Sequence, residues 1–130
     1  MKIFLFITLW GFYAQTKPTL SVKISQLSST NGKVFLQVLD LNQNVVHSSV
    51  LTIPSKNFTW TSPSIPDGKY AVKIFHDENN NGKMDTNFVG IPKEKWGTSN
   101  NVKAKFAPPN FKEMIFDFPS QKEIIVFVNN

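Results

Sequence analysis

Apolar and polar residues alternate with a period of two along most of this chain. Leu20, Val22 and Ile24 are separated by Ser21, Lys23 and Ser25, the pattern of a strand with one face buried and the other wet. Residues 34–39 are apolar enough to lie inside a sheet, and in residues 69–76 the side chains of Tyr70, Val72 and Ile74 share a face. Further strands are predicted over 49–53, 57–61, 114–118 and 123–128. Turn chemistry separates them. Asn31-Gly32 is a hairpin-type turn, a loop surrounds Asn42–Asn44, and Pro54 and Pro119-Ser120 break two runs. In Pro66-Asp67-Gly68 the proline presets the first corner and the glycine supplies the later one. No segment carries a 3.6-residue stripe. The expectation is an all-β fold, an antiparallel β-sandwich of immunoglobulin-like or transthyretin-like kind, with about seven strands and one long ordered loop.

Before the first strand the alternation is absent. Met1-Lys2 precedes an unbroken apolar run over residues 3–14, the basic and apolar regions of a secretory signal peptide. It is shorter than the roughly 20 residues that cross a bilayer. Cleavage is expected after Ala14 or Gln15, although Phe12 is bulky for its place in the cleavage motif. The alternative is a buried first strand. Residues 16–130 then form one domain of ordinary size, expected to be exported to the periplasm or beyond, with no membrane span after signal removal. There is no cysteine, so neither a disulfide nor a lipidated thiol contributes. The core, or a bound ion, has to stabilise the domain.

The net charge of +5 comes entirely from lysines scattered along the chain, with no arginine. Base readers depend on arginine's bidentate fork. Nucleic acid is therefore not an expected partner.

One connection is too long for a plain sandwich. Residues 78–110 lack a clear strand, and such connections are usually functional or disordered. This one holds Phe88, Val89, Ile91, Trp96 and Phe106, stiffened by Pro92, Pro108 and Pro109. That is too apolar for disorder.

The excursion begins with Asp77-Glu78-Asn79-Asn80-Asn81-Gly82-Lys83-Met84-Asp85. Oxygen-bearing side chains stand at relative positions 1, 3, 5 and 9, with glycine at 6, the spacing of an EF-hand-type calcium loop. A hard divalent cation wants six or more oxygens, and alternate side chains of a tight loop can supply them. The expected ligands are Asp77, Asn79, Asn81, the carbonyl of Lys83, and Asp85, with calcium as the cofactor. Position 12 is Phe88 instead of the bidentate glutamate, and no helices flank the loop. Glu94, Asn100 or Asn101 would have to reach back. The affinity expected of so few charges is roughly 10⁻⁴–10⁻³ M. The competing expectation is a series of Asx turns that cap their own backbone without metal.

The run from His76 through Glu94, then Trp96-Gly97-Thr98-Ser99-Asn100-Asn101 and Phe106-Ala107-Pro108-Pro109-Asn110-Phe111, resembles the bacterial domain of unknown function 2141 family. So do the Pro66-Asp67-Gly68-Lys69-Tyr70 turn and the strand after it. The resemblance implies a small exported β-sandwich and brings no reaction with it. It departs at Thr98, where an aromatic residue is expected.

Catalytic signatures are missing. There is no His-Glu-x-x-His, no Gly-x-Ser-x-Gly and no phosphate loop. His76 and Asp77 are strand neighbours that point to opposite faces, and His47 has no matched partner. Trp96, with Asn100 and Asn101, is the candidate ligand or partner surface, since an exposed tryptophan stacks sugars and anchors interfaces. A loop tryptophan also commonly folds back over a sheet edge. The reading is a non-catalytic exported binding or structural module with a calcium-type loop, whose partner would be an envelope protein, a polysaccharide or its own copy; in the purely structural case the loop only covers the core. The alternative is a small-ligand or hydrolase-like enzyme with a pocket under the 78–110 loop, using His76, Asp77 or Glu94.

Overall fold

Burial follows the alternation. In β1 (Thr19–Ser25) Leu20, Val22 and Ile24 are fully buried, as are Val34, Leu36 and Val38 in β2 (Lys33–Leu39). The computed structural model describes Gly11 and residues 17–86, 89–104 and 107–130. The expected leader, apart from Gly11, and its cleavage site lie outside the described residues. The other strands are β3 (Val45–Leu51), β4 (Phe58–Ser64), β5 (Gly68–Asp77), β6 (Trp96–Thr98), β7 (Phe116–Phe118) and β8 (Glu123–Phe127). One helical turn, α1 (Phe111–Met114), precedes β7.

The strands form two sheets, one in the order β4-β1-β8 and the other β3-β2-β5-β6, with β7 also paired to β5. Pairing is antiparallel except between β1 and β8, which run parallel from Ser21↔Glu123 to Ser25↔Phe127. The inner faces meet in one core of Leu20, Val22, Leu36, Val72, Val126 and their neighbours. The β-sandwich is therefore as expected, but its connections are not those of the simplest reading. β1 and β2 lie in different sheets, so Asn31-Gly32 closes no hairpin; it carries the chain from one sheet to the other. An immunoglobulin constant-type sandwich would place its first two strands in one sheet.

Two differences have local causes. The third strand starts at Val45, four residues before the expected 49. Asp40 Oδ1 accepts the N–H groups of Asn42 and Asn44 at 2.9 and 3.0 Å, and Asp40 N–H donates to the Asn44 carbonyl. This tight Asx turn delivers the chain straight onto β2. The expectation had instead spread a loop around Asn42–Asn44. β6 was not anticipated either, because three residues with a central glycine show no period.

Pro66-Asp67-Gly68 also changes sheets, and Tyr70 holds the corner by donating its phenol to the Pro66 carbonyl at 2.6 Å. Its ring meets Phe118 edge-on at 6.1 Å.

The outer face of the larger sheet is not uniformly polar. Cross-strand partners share a face, and the registers Trp96↔Phe75, Phe75↔Phe35 and Phe35↔Val50 lay an apolar row across four strands. The Phe35 and Phe75 rings stack at 4.7 Å. Elsewhere on this face Ala71, Val102 and Met114 form a small second core with Phe111 and Ile115.

Candidate functional site

β5 ends in Asp77, whose side chain is fully buried. The chain must reverse there, and it does so through Asn80 and Gly82 in the left-handed region, at φ 56° and 80°. Asp77 Oδ1 accepts the Asn81 N–H at 3.2 Å and Oδ2 accepts the Gly82 N–H at 2.8 Å. Asn79 Oδ1 accepts the Asn81 N–H at 3.2 Å, and Asn81 Oδ1 accepts the Lys83 N–H at 3.1 Å. The loop is a relay of Asx turns.

The same side chains turn toward Asp85. The Asn79 amide donates to its carboxylate, and the Asn81 amide donates to both oxygens at 2.7 and 2.8 Å. These bonds, Asn79's foremost, hold the Asp85 carboxyl below its ordinary range. Asp77, Asn79, Asn81 and Asp85 are thus tied into one loop by hydrogen bonds among themselves and to its main chain. Lys83 lies in the exposed part of the turn.

The far side of the excursion closes over the loop. Thr86 forms an isolated bridge to Pro92, and Lys93 N–H donates to the Asp85 carbonyl at 2.8 Å. Glu94 is thereby delivered to the loop, with Oε2 accepting the Asp85 N–H at 3.4 Å. Its other oxygen, Oε1, is buried with no hydrogen-bond partner, and a buried orphan acceptor carries a desolvation cost. Burial foremost pushes the Glu94 carboxyl up to about 7; the charges of Asp77 and Asp85 add to this, and the Asp85 N–H opposes it.

A pH dependence follows. The folded value lies above the ordinary 4.5, so Glu94's contribution to stability is present at acid pH and is lost as pH rises through about 7. Without metal, the protein should be less stable at about pH 8 than at about pH 5 by around 1 kcal/mol from this group, solvent screening included. Glu94→Gln should flatten that part of the profile, measured by urea unfolding in chelator. A profile unchanged by the substitution would deny Glu94 this role.

Among the described residues, no group of three His, Cys, Asp or Glu side chains is arranged to hold a metal ion by itself. Any ion here therefore depends on amide and main-chain oxygens as well. A half-turn of the Asn79 and Asn81 amides would exchange Nδ2 for Oδ1 beside Asp85.

His76 is fully buried. Its Nε2 lies 2.7 Å from the Asn31 carbonyl, which can only accept, so Nε2 carries the proton. Nδ1 has no hydrogen-bond partner and stands 3.8 Å from Glu78 Oε1, an oxygen that takes the Ser28 hydroxyl. His47 lies on β3, where it stacks on Trp60 and contacts Ser49.

Trp96 is half-buried in β6, with its carbonyl accepting the Asn130 N–H at 3.1 Å. The Asn100 amide donates to the carbonyls of Glu113 and Ile115 at 3.0 and 2.9 Å. Asn101 accepts the Phe127 N–H at 2.9 Å and donates to the Ile125 carbonyl at 3.1 Å, completing the outer edge of β8 as a neighbouring strand would. Both asparagines are in the left-handed region, at φ 59° and 50°. An asparagine pair is a sequence signal for that conformation. Ser99 was missed altogether: its buried hydroxyl accepts the Val72 N–H at 2.9 Å and donates to the Met114 carbonyl at 2.6 Å.

Two hollows flank these elements. An apolar groove of about 860 Å³ lies along the outer face of the larger sheet, lined by Phe35, Val50, Phe75, Ile91, Trp96 and Pro109 among others. Lys73 is its one ionisable side chain among the described residues. The other hollow, about 500 Å³, is polar and lies beside the loop, where Ser28, Glu78, Asp85, Lys93 and Glu94 meet.

The profile of a family described as an uncharacterized protein conserved in bacteria (DUF2141) matches residues 22–126. No curated protein and no solved structure matches the chain.

Proposed function

This chain belongs to the DUF2141 family of bacterial proteins, a membership that carries no activity, and from the geometry we propose a non-catalytic, exported binding module whose excursion is fastened by calcium. Asp77, Asn79, Asn81, Asp85 and the Lys83 carbonyl are the ligands, and Glu94 replaces the glutamate missing at position 12. The supporting observation is Glu94 Oε1, a buried oxygen without a partner beside the loop that carries the other oxygens. A cation there would relieve the crowding of three carboxylates and satisfy the orphan. Calcium suits a flexible, oxygen-only set better than magnesium, which demands octahedral geometry and keeps its water. Once fastened, the excursion presents Trp96 and the apolar groove to an envelope protein, a polysaccharide or a second copy.

The catalytic reading has less support. His76 and Asp77 are both fully buried and each bonds main-chain groups, and among the described residues the larger groove is lined by no acidic side chain. Among the described residues, no helix is long and apolar enough to cross a membrane.

The test is thermal denaturation in chelator and in calcium. At calcium about tenfold to a hundredfold above a weak dissociation constant, the melting temperature should rise by about 5–10 °C. Magnesium should do less. Asp85→Ala is the informative variant, since Asp85 is only half-buried and its loss leaves the core intact. It should abolish the calcium response while melting near the natural protein in chelator. Coincident melts of the natural protein in calcium and chelator would end this proposal.

A further inference from the structure

On the outer face of the larger sheet two rows of side chains run side by side across the strands. One is the apolar row of Trp96, Phe75, Phe35 and Val50. The other is polar. The registers set Thr98 opposite Lys73, Lys73 opposite Gln37 and Gln37 opposite Ser48, each two residues from its apolar counterpart and so on the same face. Both rows line the groove of about 860 Å³, a volume within the roughly 300–1,000 Å³ of small-ligand sites. Met84 and Pro109 line it from the excursion, so it is a recess and not a flat face.

The one charge in this recess has no counter-ion. Lys73 is half-buried, and its Nζ stands 5.8 Å from the centre of the Phe111 ring. Among the described residues no carboxylate pairs with it. A cation held over a ring gives up water on one side without gaining an anion.

The apolar row narrows what such an anion is attached to. The Phe35 and Phe75 rings stack at 4.7 Å with 10° between their planes, a separation equal to that of neighbouring strands. Their faces are therefore turned toward each other and along the row, and their edges point out of the sheet. A sugar stacks on a ring face, whereas ring edges and methyl groups make a bed for an aliphatic chain. We propose that the groove binds one long-chain fatty acid. Its carboxylate pairs with Lys73 beside Gln37, and its chain lies over the edges of Phe75 and Phe35 toward Val50. This rests on reading the groove as a binding face and is independent of the cation loop. At the efficiency general for ligands of this size, a dissociation constant of about 10⁻⁵ M is expected.

The test is fluorescence titration of the full-chain protein, freed of lipid on a hydrophobic resin, with cis-parinaric acid, a conjugated long-chain fatty acid. Laurate and dodecyltrimethylammonium, both below their micellar range, then compete for the site. They share a chain length and carry opposite charges, so laurate should displace the probe at least about tenfold better. Lys73→Met keeps the apolar stem, and should weaken the probe at least about tenfold and remove the preference for laurate. Val50 is 60% exposed, so Val50→Asp spares the core; it should weaken the probe and laurate alike by placing a like charge under the chain. Thermal melts near that of the natural protein show that both variants fold. Absence of binding, or binding that both variants leave unchanged, overturns the proposal. So does a protein that ignores the monomeric acid but sediments with phosphatidylglycerol vesicles, the groove then being a bilayer contact. If calcium raises the melting temperature of a protein that binds no acid, this inference alone falls. If the acid binds as expected and calcium has no effect, the inference stands and the calcium reading falls.

Discussion

Gly32→Ala is expected to destabilise the protein by at least about 3 kcal/mol, a large share of what a domain of this size has. Gly32 sits at φ 74°, and a Cβ added there would stand 1.8 Å from the Asp77 carbonyl oxygen and 2.8 Å from Asp77 C and Glu78 Cα. All three are main-chain atoms, so no rotamer change relieves the clash. Gly82 isolates the conformational part of the effect. It has nearly the same backbone, φ 80°, but nothing within 4 Å of its added Cβ. Gly82→Ala should therefore cost only the left-handed penalty, about 1–2 kcal/mol. Urea unfolding of the two variants side by side measures the difference, and equal losses would show that the strands at Gly32 part easily. Gly32→Ala should also blunt the calcium response. The Asn31-Gly32 turn, the Lys33↔Asp77 pair and the His76–Asn31 bond form one unit, so displacing the turn displaces Asp77, the first of the proposed ligands.

The second large effect is expected at Gly97, in the middle of β6. Here the backbone is ordinary and the constraint is distance. An added Cβ would lie 2.3 Å from the Phe127 carbonyl oxygen and 2.9 Å from both Phe127 C and Val126 Cγ1. β6 pairs with β5 in the larger sheet, while β8 belongs to the smaller one. Gly97 is where the two sheets come into backbone contact. A methyl group wedges them apart, at an expected cost of about 2–4 kcal/mol. Hydrogen exchange should then rise along β8 more than along β3, which lies at the opposite margin of the larger sheet. A loss below about 1 kcal/mol would mean that β6 moves off β8 without penalty.

These two glycines differ in how visible they are to a sequence reader. Asn31-Gly32 signals a change of direction, because only a few residues accept a positive φ, but the hairpin it implies is not formed, since β1 and β2 lie in different sheets. The clash that makes Gly32 irreplaceable comes from Asp77, forty-five positions along the chain, and nothing local announces it. Gly97 gave no signal, since it occupies an allowed conformation and its neighbour comes from the other sheet. The candidate site divides the same way. Asp77, Asn79, Asn81, Gly82 and Asp85 were legible because a loop that folds on itself writes its geometry into its spacing. Glu94 could be named only as one residue able to reach back, alongside Asn100 and Asn101. The Thr86–Pro92 bridge distinguishes it from those two, whose amides instead serve main-chain groups of β8 and of the segment before β7.

By itself, the sequence determined that the chain is a β-sandwich, which residues face its core, and that an oxygen-rich loop follows β5. Each of these rests on short-range periodicity or spacing, which a strand or a tight loop must obey wherever it sits. The tertiary structure alone decided that β1 and β2 separate into different sheets, that β8 lies parallel to β1, that β6 exists, and that Glu94 closes over Asp85. Those outcomes depend on which surfaces bury one another best after collapse, and such contacts leave no periodic mark on the segments that make them.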